Sequence, residues 1–154
     1  MRADLYAKIE EQIERTLHLI GLLPPTSVTP STGALLGHLP DCLAGFCAVL
    51  HRAHPDRLEH FAALRDLPVN QVCTPEEASD RIGIFRRHIG EGFAVLTAAD
   101  LSRKLPTVFV PEGESVMTLL LGNLEHLINH KHQLFTDLKL MGVPVSTPDL
   151  YRLR

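Results

Sequence analysis

Apolar positions recur at helical spacing along most of this chain. Leu5, Ile9, Ile13, Leu17 and Ile20 make one stripe, with Glu10, Glu11, Glu14 and Arg15 mostly on other faces, so residues 3–22 are a predicted helix. Gly21 and Pro24-Pro25 end it. The following run PPTSVTPSTG is turn-rich and too short to link two domains. A second stripe, Leu35, Leu36, Leu39, Leu43 and Phe46, predicts a second helix with Ser31 or Thr32 as its N-cap. Pro40 lies inside that pattern. It removes a backbone donor and crowds the preceding turn, which predicts a kink or a break.

Pro55 suits the first turn of a short helix, Asp56–Arg65. Thr74-Pro75-Glu76-Glu77 is a stronger signal: Thr74 caps, Pro75 fits the first helical position and Glu77 completes a capping box. The helix it opens carries Ile82, Phe85, Ile89, Phe93 and Leu96 and ends near Thr97. Residues 98–112 read as irregular, with Thr107–Val110 as a short extended segment against the rest. The last stretch, Glu114–Met141, reads as one long helix with Ser115 as its cap, Gly142 as its C′ glycine and Pro144 blocking continuation. Four long amphipathic helices predict an all-α fold, an up-and-down four-helix bundle occupying residues 1–154 as a single domain.

Composition narrows the function classes mainly by exclusion. A chain of 154 residues can bury a core without staples. A formal net charge of −3 and the lack of any Lys/Arg-rich run argue against a nucleic-acid binder. Charges interrupt every helix before the roughly 18 apolar residues of a membrane span, so no membrane partner is expected. The acidic N-terminal stretch lacks a signal-peptide layout, and a cytoplasmic location is the default expectation. Cys42, Cys47 and Cys73 are odd in number and form no CxxC, so all three read as reduced thiols in the core.

The candidate chemistry lies in three histidines. His126 and His130 stand four apart in the last helix, so both imidazoles share one face, one turn apart. Two neutral imidazoles held this way can chelate a divalent metal. No Glu follows His126, which removes the general base of the H-E-x-x-H proteases. Nine histidines in the chain also make such a spacing attainable by coincidence. His38 lies beside the apolar stripe of the second helix, either as a core histidine bonded to a backbone carbonyl or as a third ligand facing the pair. Three protein ligands with an open position are a catalytic arrangement, and four are a structural one. Asp41, three residues after His38, is a candidate for orienting a ligand or for a general base. His132 sits about 200° round the helix from His130 and faces elsewhere. His18, His51, His54, His60 and His88 read as solvated or boundary residues, and Arg86 and Arg87 as solvent-facing.

The pattern ALLGHL in the second helix, His126-x-x-x-His130-Lys131-x-Gln133-Leu134 and the run LKLMGVP resemble the DinB-like (YfiT-like) metalloenzyme superfamily. The resemblance extends from the first helix to Pro144. Asn129 stands where many members carry a further histidine, and Lys131-His132 replaces Arg-Gly; neither position is a ligand in the family. The resemblance implies that His38, His126 and His130 bind Zn²⁺ or Ni²⁺. It also implies a thiol-dependent transfer chemistry, with a low-molecular-weight thiol as co-substrate and a small molecule as ligand. A homodimer is implied too, and Ile20, Leu22, Leu23, Ile84, Phe93 and Val95, apolar beyond a single stripe, are candidates for its contact. A non-enzymatic, metal-stabilised binding bundle is the other class these residues allow.

Overall fold

The chain folds as an all-α four-helix bundle; the structure, a computed structural model, describes residues 1–26 and 28–151. The four long helices are α1 (Arg2–Gly21), α2 (Pro30–Ala53), α3 (Pro75–Val95) and α4 (Val116–Leu140). A one-turn helix, α5 (Thr147–Leu150), follows. The apolar stripes meet in one core built on Ile9, Ile13, Leu36, Leu43, Phe46, Phe85, Ile89, Leu120 and Leu134. Each of these side chains leaves water on folding, which contributes on the order of 1.5–3 kcal/mol apiece for the larger ones.

The helix starts follow local chemistry. Thr74 accepts from the backbone N–H of Glu77 at 3.2 Å while Glu77 accepts from the Thr74 N–H at 2.8 Å, the expected capping box. Ser115 caps α4 through Thr118 N–H at 3.0 Å. The cap of α2 is Thr29 rather than Ser31 or Thr32. Its hydroxyl accepts from Thr32 N–H at 3.1 Å, and Pro30 takes the first helical position, where no donor is needed. α2 runs unbroken through the buried Pro40. Gly142, at φ 78°, ends α4 in the left-handed conformation glycine tolerates.

Three local expectations are corrected. The segment expected as helix Asp56–Arg65 is a 3-10 stretch, Glu59–Asp66, whose one buried side chain is Phe61. So few apolar anchors cannot sustain a full amphipathic face. Residues 98–112 hold a 3-10 turn, Asp100–Ser102, and the two-residue strand β1 (Lys104–Leu105), which pairs antiparallel with β2 (Glu114–Ser115) at the start of α4. Thr107–Val110 does not lie extended against the bundle. It closes a turn through Thr107 N–H to Val110 C=O at 3.0 Å, and Val108 and Phe109 are each 93% exposed.

Packing also corrects readings of surface. Ile20, Leu23 and Phe93 are buried within the chain's own core. Arg86 bridges α3 to α1 through Glu10 at 2.7 Å and Glu14 at 3.2 Å. α2 has the length and hydropathy of a membrane span, contrary to expectation, and most of it is buried against the other helices, as in a core helix of a bundle.

Contacts give each helix a direction. α1 and α3 are antiparallel, because Arg2 reaches Leu96 C=O while Glu10 meets Arg86. α2 and α4 are antiparallel, because Thr32 meets Asp137 while Gly45 lies against Asn123. α2 and α3 run the same way, with Asp41 beside Arg81 and Leu50 beside Gly92. This refines strict up-and-down alternation to up, down, down, up. The segment between α2 and α3 must therefore return along the bundle, and Cys73 N–H donates to Gly33 C=O at 3.1 Å where it arrives. On its way it crosses α2 at Gly37, where a Cβ would stand 1.4 Å from the Gln71 carbonyl oxygen. Only glycine fits there.

Lys131 is the one charged side chain of the core among the described residues, 1% exposed. Its ammonium donates to Gln12 Oε1 at 2.7 Å and to Leu150 C=O at 3.0 Å, joining α4, α1 and α5. Burial pushes its pKa down to about 8, with the nearby Lys8 and Arg15 adding to the effect and Glu11 opposing it.

Two outcomes follow. Gly83 has open space around its Cα, so Gly83→Ala should stabilise α3 by about 0.5–1 kcal/mol. Gly37→Ala, the same change in the same kind of helix interior, should destabilise, as denaturant titration of both variants will measure. Between about pH 8 and the usual lysine range the unfolded chain holds a proton that folded Lys131 has lost, so Lys131 contributes stability that rises with pH. Denaturation midpoints of the native chain and Lys131→Met, compared from about pH 7 to about pH 10, should show an alkaline rise in the native chain that Lys131→Met lacks.

Candidate metal centre

The antiparallel pairing of α2 and α4 brings His38, His126 and His130 together. Their Nε2 atoms form a triangle: 3.3 Å from His38 to His126, 3.1 Å from His38 to His130 and 2.8 Å from His130 to His126. Nitrogens about 2.0–2.1 Å from a common ion lie about 2.9 Å apart at right angles and about 3.4 Å apart at tetrahedral angles. The observed separations fall close to that range, so the residues fit one divalent ion.

The protons support the same reading. His38 Nδ1 donates to Asn70 Oδ1 at 3.2 Å, and His130 Nδ1 donates to Gln133 Oε1 at 2.7 Å. In their neutral forms both rings therefore present bare Nε2 lone pairs to each other, a contact that no hydrogen bond joins. Burial holds the pKa of His126 below the usual imidazole range, and positive charge on His130 or His38 would lower it further. Neutral imidazole is the form that binds metal.

Asn70 is delivered by the returning segment, and its backbone carries strain. It sits at φ 52°, and its N–H donates to Asp41 Oδ2 at 2.6 Å. The other Asp41 oxygen accepts from Arg81 at 2.8 Å, and Arg81 also donates to Pro68 C=O at 2.9 Å. Asp41 thus lies outside the imidazole triangle with both oxygens engaged, and it reaches His38 only through Asn70. Sequence reading missed Asn70, Arg81 and Gln133 as partners. Gln133 was legible as i+3 from His130. Asn70 was not, because only the crossover brings it to α2.

Cys42 joins the set unexpectedly. Its Sγ and the three imidazole ligand atoms all lie within 4.8 Å of one another. Burial, then the Asp41 carboxylate, pushes its thiol up to about 12, so without a metal it is protonated. Its i+4 spacing from His38 was a signal in plain sight.

Outside the triangle a groove of about 470 Å³ opens between α2 and α4, lined by Ser31, Ala34, Leu35, His38, His130, Gln133 and Asp137. It is partly polar, and Asp137 is oriented by Thr32 Oγ1 at 3.1 Å. The remaining histidines lie elsewhere. His132 lies tilted beside Phe135, His18 pairs with Asp149 at 2.9 Å and His54 with Asp100 at 2.8 Å. No family model matches the chain, and neither a curated protein nor a solved structure is significantly similar to it.

His126→Ala should strip most metal bound at this centre, since two ligands hold an ion poorly. His132→Ala should leave that metal in place. Zinc-induced change in the His38 and His130 Nε2 nitrogen resonances, read on tag-free protein with one equivalent of Zn²⁺, checks both, and equal loss of that change in the two variants would refute the ligand assignment.

Proposed function

We propose that His38, His126 and His130 hold one Zn²⁺ or Ni²⁺ ion, with an exchangeable position facing the α2/α4 groove. The protein would be a thiol-dependent transferase of the DinB-like class acting on small electrophiles. The observation that carries this is the triangle of Nε2 atoms whose partner nitrogens are committed to Asn70 and Gln133. Held by these three imidazoles, a divalent ion would lower the pKa of a bound thiol and favour its thiolate near neutral pH.

The chain's own residues have separate tasks in this reading. Asn70 and Gln133 fix the ring orientation of His38 and His130, and such partners are worth about 10–100-fold in metal affinity. Asp41 and Arg81 hold Asn70 in its strained backbone position, so Asp41 is a positioning residue rather than a general base. Ser31, Gln133 and Asp137 line the approach to the centre and offer hydrogen bonds to a polar co-substrate. The thiolate would attack an electrophilic carbon, forming a C–S bond while the leaving group departs with its electron pair. Assembly as a homodimer rests on the family likeness alone.

Cys42 supports a second reading. A fourth protein ligand would close the centre and make it structural, as in a metal-stabilised binding bundle.

Cobalt substitution separates the two. Titrating the cobalt protein with bacillithiol, mycothiol and glutathione should raise a near-ultraviolet thiolate-to-cobalt band with at least one of them. Silence with all three at millimolar concentration, with cobalt shown to occupy the site, would overturn the transferase reading. A band present before any thiol is added, and lost in Cys42→Ser, would favour the closed structural site.

A further inference from the structure

A second cluster with ligand chemistry lies on another face, between α3 and the 3-10 stretch. His60, His88 and Glu91 place one ligand atom each within 4.8 Å of one another. His88 and Glu91 are three apart on α3 and so share a face. His60 comes from the crossover, and its Nε2 stands 2.7 Å from Glu91 Oε2. No sequence spacing joins His60 to the other two; the fold alone assembles the set.

Two features prepare this cluster for a cation. His88 Nδ1 donates to the Ile84 carbonyl at 2.8 Å, so its proton is fixed there and Nε2 keeps a free lone pair. Phe61, a core side chain, packs its ring edge-on against both imidazoles, at 4.9 Å from His60 and 5.1 Å from His88. A buried ring thus limits the freedom of two half-exposed ones. The His60–Glu91 contact is also an ordinary surface ion pair, and such pairs contribute about 0–1 kcal/mol. The fixed tautomer of His88 is what that pair alone does not account for.

We propose that His60, His88 and Glu91 form a second divalent-metal site, which fastens the crossover to α3. Two imidazoles and a carboxylate suit Zn²⁺, Ni²⁺, Co²⁺ or Cu²⁺ and disfavour Mg²⁺ and Ca²⁺, which prefer oxygen ligands throughout. The carboxylate offsets one of the ion's two charges. The three ligands are half-exposed or more accessible, so the ion exchanges with solvent and responds to metal supply. The segment it holds is the one that carries Asn70 onward to His38. The site stands on its own residues and does not require the three-imidazole centre to be occupied.

Equilibrium dialysis of tag-free protein against micromolar Zn²⁺ at neutral pH tests this directly. The native chain should bind two ions, His126→Ala one, and His126→Ala combined with His88→Gln none. Adding His60→Ala to His126→Ala should also abolish binding. Adding Glu91→Gln, which keeps the shape of the side chain, should weaken binding by more than the roughly tenfold that a lost hydrogen-bond partner costs. Circular dichroism confirms that each variant keeps its helices, and zinc-induced change in the His88 Nε2 nitrogen resonance of the native chain reads the site even where a variant unfolds. A single ion, lost in His126→Ala and kept in His88→Gln, would overturn this site and leave the first centre standing. A single ion with the opposite pattern would do the reverse.

Discussion

Imidazole lone pairs that meet without a proton between them repel, and a cation is the group that turns this repulsion into binding. His38 and His130 present that situation, because the proton of each ring is committed to a side-chain carbonyl on its far side. The arrangement is local at His130, where Gln133 lies one turn along the same helix. It is long-range at His38, where Asn70 arrives from a segment 32 residues on in sequence. The centre is therefore only as well defined as the path of that segment.

The path is constrained by close packing. α2 and α3 run in the same direction, so their connection must travel the length of the bundle. It can pass over α2 next to His38 only because Gly37 and Gly33 leave room. An Asp41–Arg81 ion pair, little exposed, then holds Asn70 at a backbone angle that non-glycine residues seldom adopt. A core residue of the same connection, Phe61, holds two further histidines in place. Helix direction, glycine placement and imidazole tautomer are thus linked steps of one chain of causes.

Much of this was legible in the sequence. Period 3.6 found the four long helices, and the Thr74 and Ser115 caps set two of their starts. The i, i+4 pair and His38 were found because helix geometry fixes which side chains share a face. Readings failed where non-local packing decides. Lys131 reads in the sequence only as a non-ligand departure from the family pattern beside His130, yet a 3.6-residue period carries it into the core, where Gln12 and the Leu150 carbonyl satisfy its ammonium. Arg86 found two carboxylates on a helix 70 or more residues away. Asn70, His60 and the direction of α3 depend on a crossover whose course no spacing encodes.

X-ray absorption at the zinc edge, on protein loaded with less than one equivalent of Zn²⁺, tests the central claim most directly. The account expects three imidazole nitrogens at about 2.0–2.1 Å with their outer-ring scattering, plus one light atom from solvent. A sulfur at about 2.3 Å that persists in thiol-free buffer and disappears in Cys42→Ser would show a closed centre in place of an open one. A shell with fewer than three imidazoles in the native chain, and unchanged in His126→Ala, would contradict the centre itself.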